Sequence, residues 1–242
     1  MHRLMSFLVL CSLSQLANAL PKGFVYLHDL APTIIEDLRY TTSNNFIGRP
    51  ITGYKANRCI LTLQAAEHLL RVQQAANQQG YSLKVYDCYR PQRAVDTFYQ
   101  WSLNPKDSLM KASFYPREDK KYLFAKGYIA QSSGHTRGST IDLSLVKIGS
   151  KTHLSKPATN RCYGKTPSYQ DDNSIDTGTR FDCMDRSANT DYQALTKAQK
   201  NNRLLLRHLM LTNGFMPYEQ EWWHFTLRNE PFPKTYFNFV VN

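Results

Sequence analysis

From Thr62 to Trp101 the hydrophobic positions switch from helical spacing to strand spacing and back. Between Thr62 and Gln79 apolar residues recur every three to four positions. Leu63, Ala66, Leu69 and Leu70 fall on one face and glutamines on the other, and Gly80 suits the position just past a helix end. Tyr81 to Asp87 then alternates like a strand, with Leu83 and Val85 on one side. Cys88-Tyr89-Arg90-Pro91 is a sharp exit, and Pro91 fits the first turn of a second helix, where its missing N–H is not needed. That helix is predicted to run to Trp101, with Ala94, Val95, Phe98 and Trp101 inward. Arg90 is left at a strand-to-helix junction, where side chains tend to point into a cleft.

Residues 102–131 read as loops with one short helix, and Ile141 to Leu145 as an apolar strand. Lys147 to Asp185 is long and polar, which inside a compact domain marks a lid or binding insert. Thr196-Lys197-Ala198-Gln199 has the form of a capping box, opening a helix through Leu204, Leu205, Leu209 and Met210 that stops near Gly214. Trp222 to Leu227 reads as a strand. Upstream, residues 20–54 are turn-rich, with short strands expected at Val25–Leu27 and Asp37–Tyr40 and a loop at Asn44–Pro50. Irregular segments, not regular helical crossovers, separate consecutive strands. The expectation is therefore one α+β domain over residues 20–242, with a central, mostly antiparallel sheet flanked by helices.

The first residues stand apart from this pattern. Met1-His2-Arg3 is a short basic start, Leu4 to Leu16 is mostly apolar, and Ala17-Asn18-Ala19 supplies small residues where a signal peptidase reads. The apolar run is shorter than the roughly 20 residues a membrane helix needs. Residues 1–19 are expected to be a signal peptide, and the mature chain to begin near Leu20, without a membrane span, in the periplasm or outside the cell.

Charge and cysteine content fit that setting. The chain has 30 Lys and Arg against 19 Asp and Glu, for a net charge of +11. The excess is scattered singly, which suits a solvated basic surface and allows weak contact with anionic envelope polymers. With no basic stripe and no binding motif, a nucleic-acid partner is not expected. One of the five cysteines, Cys11, falls in the leader. The remaining Cys59, Cys88, Cys162 and Cys183 contain no Cys-x-x-Cys pair, which argues against a structural zinc cluster. An even count in an exported chain points to disulfides, and the local pairings Cys59–Cys88 and Cys162–Cys183 are expected from three possible connectivities.

Candidate chemistry gathers in two pieces. Ser132-Ser133-Gly134-His135-Thr136-Arg137-Gly138-Ser139-Thr140-Ile141-Asp142 sets a histidine and an aspartate seven apart, just before an apolar strand. Glu221-Trp222-Trp223-His224-Phe225 lies far downstream. Two histidines and a carboxylate form a common catalytic zinc set that leaves one position open, so His135, Asp142 and His224 are the candidate ligands of one Zn²⁺, with Glu221 as a base beside it. Gly138 would let the chain turn His135 back over Asp142. Glu221 and His224, three apart, would face opposite sides of a regular strand, so Glu221 must sit before the strand or at a bulge. His28, His68, His153 and His208 read as surface or satisfied core residues. No His-Glu-x-x-His or Gly-x-Ser-x-Gly is present, which sets aside the helical metalloprotease and serine hydrolase signatures.

The two pieces together are similar to the zinc D,D-peptidases of the LAS group. Within that group the chain resembles the D-alanyl-D-alanine dipeptidases. The likeness extends through Asp37-Leu38-Arg39-Tyr40, Asn45-Phe46-x-Gly48, Gly53-Tyr54, Tyr86-Asp87-Cys88-Tyr89-Arg90-Pro91 and Phe181-Asp182-x-Met184-Asp185, in that order, and covers essentially the whole mature chain. Thr140 departs from the pattern, standing where the group usually has alanine. The resemblance implies a LAS-type peptidase fold. It also implies zinc on His135, Asp142 and His224, and Glu221 taking the proton of the attacking water. Arg90 would stabilise the oxyanion, and Ser133, Tyr40 and Asp87 would contact the dipeptide or orient those groups. The implied reaction is hydrolysis of D-Ala-D-Ala to two D-alanines. Longer peptides would be excluded by a small pocket, lidded by the 147–185 insert or the Asn44–Pro50 loop, that recognises the free amino terminus. A D,D-carboxypeptidase or endopeptidase acting on peptidoglycan stems is the nearest alternative. A catalytically silent envelope-binding module would lack a ligand, the base or the arginine, and all five residues are present.

Overall fold

A computed structural model of the chain describes residues 20–150, 158–164 and 167–242. The expected signal peptide at residues 1–19 lies outside them, as do residues 151–157 and 165–166 of the polar insert, His153 included. In chain order the elements are β1 (Phe24–Tyr26), α1 (Leu27–Leu30), β2 (Ile35–Glu36), β3 (Ile60–Thr62), α2 (Leu63–Gln78), β4 (Tyr81–Asp87), α3 (Gln92–Leu103), α4 (Lys111–Phe114), β5 (Thr140–Lys147), α5 (Lys197–Thr212), β6 (Phe215–Tyr218) and β7 (Glu221–Leu227). No helix among the described residues is long and apolar enough to cross a membrane.

Local signals account for the main helices. The Thr62 hydroxyl accepts the Ala65 N–H at 3.3 Å and starts α2. The face that α2 buries carries Ala65, Ala66, Leu69, Val72, Gln73 and Ala76. It is rotated from the predicted one, because Leu63 at the first position is 43% exposed. Gln73 is tolerated inside because its amide bonds Thr33, Ser82 and the Leu83 N–H. In α3 the expected Ala94, Val95, Phe98 and Trp101 are buried, and Pro91 stands just before the first turn. The capping box of α5 is present, with the Thr196 hydroxyl accepting the Gln199 N–H and the Gln199 side chain accepting the Thr196 N–H. Leu204, by contrast, faces solvent.

The strands form a five-stranded sheet in the order β2–β4–β5–β7–β6, in which only β2–β4 is parallel, and a separate antiparallel pair β1–β3. The α+β, mostly antiparallel expectation describes this arrangement. Two local readings are corrected. Asp37–Tyr40 is not a strand: pairing stops at Ile35–Glu36, and Arg39–Thr41 forms a 3₁₀ turn. The reason is that the Leu38 N–H is taken by the Asn57 side chain, while the Arg39 guanidinium turns inward to Asp171 and Asp172. Phe215–Tyr218, expected only as a lead-in, is the edge strand β6, where Pro217 removes no ladder bond the sheet needs.

Helix α2 packs on β4, and α5 on β6 and β7. The cross-strand pairs Leu83–Leu145 and Val85–Leu143 are buried on one face of the sheet; Lys84–Ser144, Asp87–Asp142 and Asp142–His224 occupy the other. A register break between Val85 and Asp87 turns Asp87 onto the same face as Asp142. That polar face carries the site.

Candidate metal centre

Asp142 is the third residue of β5 and His224 the fourth of β7, and the ladder sets them opposite each other. His135 arrives from a 3₁₀ turn, Gly134–Arg137, just ahead of β5. The Ser133 hydroxyl accepts the His135 N–H at the start of this turn, and Gly138 ends it at φ 82°. A side chain at Gly138 would strike Phe24, with the added Cβ 2.2 Å from the ring. The turn brings His135 Nε2 to 3.2 Å from Asp142 Oδ2 and 3.3 Å from His224 Nδ1. Beneath it the Thr140 hydroxyl meets that of Thr226 at 2.9 Å, so the departure from alanine is accommodated in packing.

The donor set fits a divalent cation of the zinc type. Donor atoms of His135, Asp142 and His224 all lie within 4.8 Å of one another. His135 Nδ1 is 2.7 Å from the Cys88 carbonyl, which can only accept, so the proton sits on Nδ1 and Nε2 presents a lone pair. Asp142 Oδ1 is buried without a hydrogen-bond partner, although His224 Nδ1 lies 3.0 Å away. A buried carboxylate with one oxygen left in this state, and with an imidazole nitrogen beside each of its two oxygens, is what a cation would satisfy. Burial opposes the Asp142 charge, but His135 and His224 outweigh it and hold the carboxyl below the usual range. Burial also lowers His224, which favours the neutral imidazole that ligates.

Glu221 is the first residue of β7, not a loop residue, and it sits where the β6–β7 register breaks opposite Tyr218. The irregularity carries its carboxylate to 3.5 Å from His224 Nδ1. Burial, with Asp142 and Asp182 nearby, raises its pKa well above the ordinary value.

Arg90 reaches the centre from the β4–α3 junction. Its Nε and Nη2 both lie 2.9 Å from Asp87 Oδ2, and Nη2 is 3.8 Å from Asp142 Oδ2. The guanidinium lies over the Tyr40 and Phe98 rings. Asp87 has no exposed surface, and its other oxygen accepts the Tyr54 hydroxyl. Of the two roles expected for Asp87, contacting the dipeptide or orienting the groups that do, the geometry matches the second: it stands behind Arg90 and holds it.

Arg90, His135, Asp142, Glu221 and His224 line a cavity of about 220 Å³. Ser133 and Tyr40 line it, together with Phe46, Phe98, Tyr128, Ile129 and Met184. The 147–185 insert contributes Asp182 and Met184 and the Asn44–Pro50 loop contributes Phe46. A longer stretch of wall comes from residues 127–130, which no motif had marked, and continues through Ser132, Ser133 and Gly134 of the His135 motif. Tyr218 ties that wall to β6 by donating to the Gly127 carbonyl.

Asp182 is the residue the sequence reading missed. It holds φ 59°, rare for a side-chain-bearing residue, and accepts the Tyr40 hydroxyl at 3.0 Å. Burial first, then the neighbouring Asp142, pushes its carboxyl up to about 8. Its place in the run Phe181-Asp182-x-Met184-Asp185 was the available signal.

The other histidines among the described residues take no part in the centre. His28 and His208 are exposed, and a ring nitrogen of His68 lies 2.7 Å from the Asn213 carbonyl. The cysteines pair as Cys59–Cys88 and Cys162–Cys183, each with Cα atoms 5.4 Å apart.

Comparison with known proteins identifies the family. The M15 peptidase family model described as D-Ala-D-Ala dipeptidase matches residues 21–160 and 161–242. The D-alanyl-D-alanine dipeptidase of Enterococcus faecium is 37% identical over 219 residues, covering 90% of this chain and 98% of that protein. The Streptomyces coelicolor protein of the same name is 38% identical over 218 residues, with the same coverage. That of Escherichia coli K12 is 28% identical over 196 residues, covering 81% of this chain and 80% of its own length.

Proposed function

The chain belongs to the D-Ala-D-Ala dipeptidase family of M15 peptidases, and on that footing we propose that it hydrolyses D-Ala-D-Ala to two molecules of D-alanine. The observation that carries the reading is the meeting of His135, Asp142 and His224 around a buried, unpartnered carboxylate oxygen, with Glu221 and Arg90 beside it. One Zn²⁺ held by those three residues would polarise the scissile carbonyl and lower the pKa of water from 15.7 towards about 7.

The chain's own groups divide the remaining work. Glu221 takes a proton from the attacking water and delivers it to the leaving amine, a role that needs a carboxylate beside the ligands but not among them. Arg90, kept aligned by Asp87, faces the negative charge that develops on the scissile carbonyl oxygen. Tyr40 orients Asp182, whose carboxyl accepts the free ammonium of the dipeptide. Ser133 fixes the turn that carries His135.

Cavity size supports the dipeptide over a peptidoglycan stem. At about 220 Å³ the cavity lies below the roughly 300–1,000 Å³ typical of drug-sized ligand sites. The decisive experiment is D-Ala-D-Ala hydrolysis by wild type and Glu221→Ala, with and without a chelator. Loss of turnover in both the variant and the chelated enzyme is expected. Activity that survives either change defeats the mechanism. Equal rates on tripeptides ending in D-Ala-D-Ala would instead favour a D,D-carboxypeptidase.

The reading extends to location. Residues 1–19 act as a cleaved export signal and the mature enzyme works in the periplasm or outside the cell, where its basic surface meets anionic envelope polymers. The two disulfides support an oxidising compartment. Cell fractionation with amino-terminal sequencing tests this; an enzyme retained in the cytosol with an intact leader overturns it.

A further inference from the structure

The corner Asp87-Cys88-Tyr89-Arg90 meets the candidate centre through backbone and side chains, with Asp87 Oδ2 3.5 Å from His135 Nδ1 and Arg90 Nη2 3.8 Å from Asp142, yet the sheet holds only its first residue. Asp87 is the last residue of β4 and pairs with Asp142 only across a register break. Beyond it the chain leaves the ladder. There the Cys88 carbonyl meets His135 Nδ1 at 2.7 Å, and the Arg90 N–H returns a bond to the His135 carbonyl at 3.2 Å. This reciprocal pair joins the corner to the turn that presents the ligand. The Asp87 and Tyr89 side chains bond Tyr54 and the Phe239 carbonyl, and the backbone of the corner is tied by the bond from Cys88 to Cys59, which directly precedes β3, and by the Tyr89 N–H donating to the Ile60 carbonyl at 2.9 Å. Both sulfur-bearing residues are buried.

We infer that the Cys59–Cys88 disulfide is a positioning element of the metal centre, because it fixes the carbonyl that keeps the proton of His135 on Nδ1. With that proton in place, Nε2 faces Asp142 and His224 with its lone pair free. Outer partners of ligating histidines are worth about 10- to 100-fold in metal affinity. A free corner blurs both the orientation and the tautomer of His135. The second disulfide, Cys162–Cys183, closes a loop of the insert and makes no hydrogen bond to a candidate ligand, so it serves as the control.

The inference rests on the zinc reading and is tested by competition for Zn²⁺ between protein and a chromophoric chelator. Wild type, Cys59→Ser/Cys88→Ser and Cys162→Ser/Cys183→Ser are compared, each first shown to be folded by circular dichroism. An affinity loss of about 10- to 100-fold confined to the Cys59/Cys88 pair is expected. Unchanged affinity in that folded variant, or an equal loss in both variants, overturns the inference alone. Absence of zinc uptake by wild type overturns the zinc reading as well. Should the Cys59/Cys88 variant not fold, ¹⁵N NMR of the histidine rings in metal-free wild type decides. A proton on His135 Nδ1 is expected, and one on Nε2 removes the carbonyl from the argument.

Discussion

Asp142 and His224 stand directly opposite each other across the β5–β7 ladder, with Oδ1 of one 3.0 Å from Nδ1 of the other. Cross-strand partners project from the same face of a sheet, so two of the three candidate ligands need no loop to bring them together. One strand further, Asp87 opposes Asp142 and extends the row to the group that anchors Arg90. Only His135 depends on a turn, and that turn is where the centre is most open to disruption.

Arg90 rests on Asp87 through two nitrogens, a fork that lysine does not have. Arg90→Lys is expected to lower kcat by about 100- to 1,000-fold, the range for losing one oxyanion donor, with zinc content unchanged. Steady-state kinetics with metal analysis checks this. A kcat close to wild type would take Arg90 out of the reaction.

Gly138→Ala would place a Cβ 2.2 Å from the Phe24 ring at a positive φ. The two strains together are expected to destabilise the fold by about 2–5 kcal/mol and to weaken zinc binding through His135. Urea denaturation and chelator competition measure the two effects. Unaltered zinc affinity would show that the turn can re-form without glycine.

In metal-free protein the Asp182 carboxyl is pushed up to about 8, against an ordinary value of about 3.9. Across that window the folded state keeps a proton that the unfolded state has lost, so this group's contribution to stability falls as pH rises from about 4 to about 8. Asp182→Asn is expected to flatten that part of the stability curve in chelated protein. It should also raise KM for D-Ala-D-Ala more than it lowers kcat. An unchanged KM would separate Asp182 from the substrate ammonium.

Arg39 anchors the insert from inside the molecule, reaching Asp171 and Asp172 at 2.8 Å each, with Lys84 3.4 Å from Asp172. Burial alone would raise Asp172, but Arg39 and Lys84 hold it at about 2. Because that value lies below the unfolded one, the stabilisation is complete above about pH 4 and lost as pH falls towards about 2. Arg39→Ala, which leaves two buried carboxylates without their main partner, is expected to cost about 3–5 kcal/mol in urea denaturation. A loss well under 1 kcal/mol would mean that the insert is held by its other contacts.

What the sequence determined by itself were the features with short-range causes. The Thr196–Gln199 box starts α5, the alternation of Tyr81–Asp87 makes β4, and the apolar run after His135 puts Asp142 on a strand. The Glu221–His224 spacing already required a break in the strand, and the register shift opposite Tyr218 supplies one. Tertiary structure decided everything that depends on which segments meet. Asp37–Tyr40 lost its strand to the pull of Asp171 and Asp172 on Arg39, more than 130 residues away in the chain. Asp182 joined the site because Tyr40 meets it across 142 positions, and Asp87 faces Arg90 because a bulge turned it onto the polar face. Residues 127–130 joined the cavity wall, with Gly127 tied to β6 by a bond from Tyr218. Periodicity and capping act over a few residues and leave a mark in the sequence; a cavity wall is made by contacts between distant segments, which no local pattern encodes.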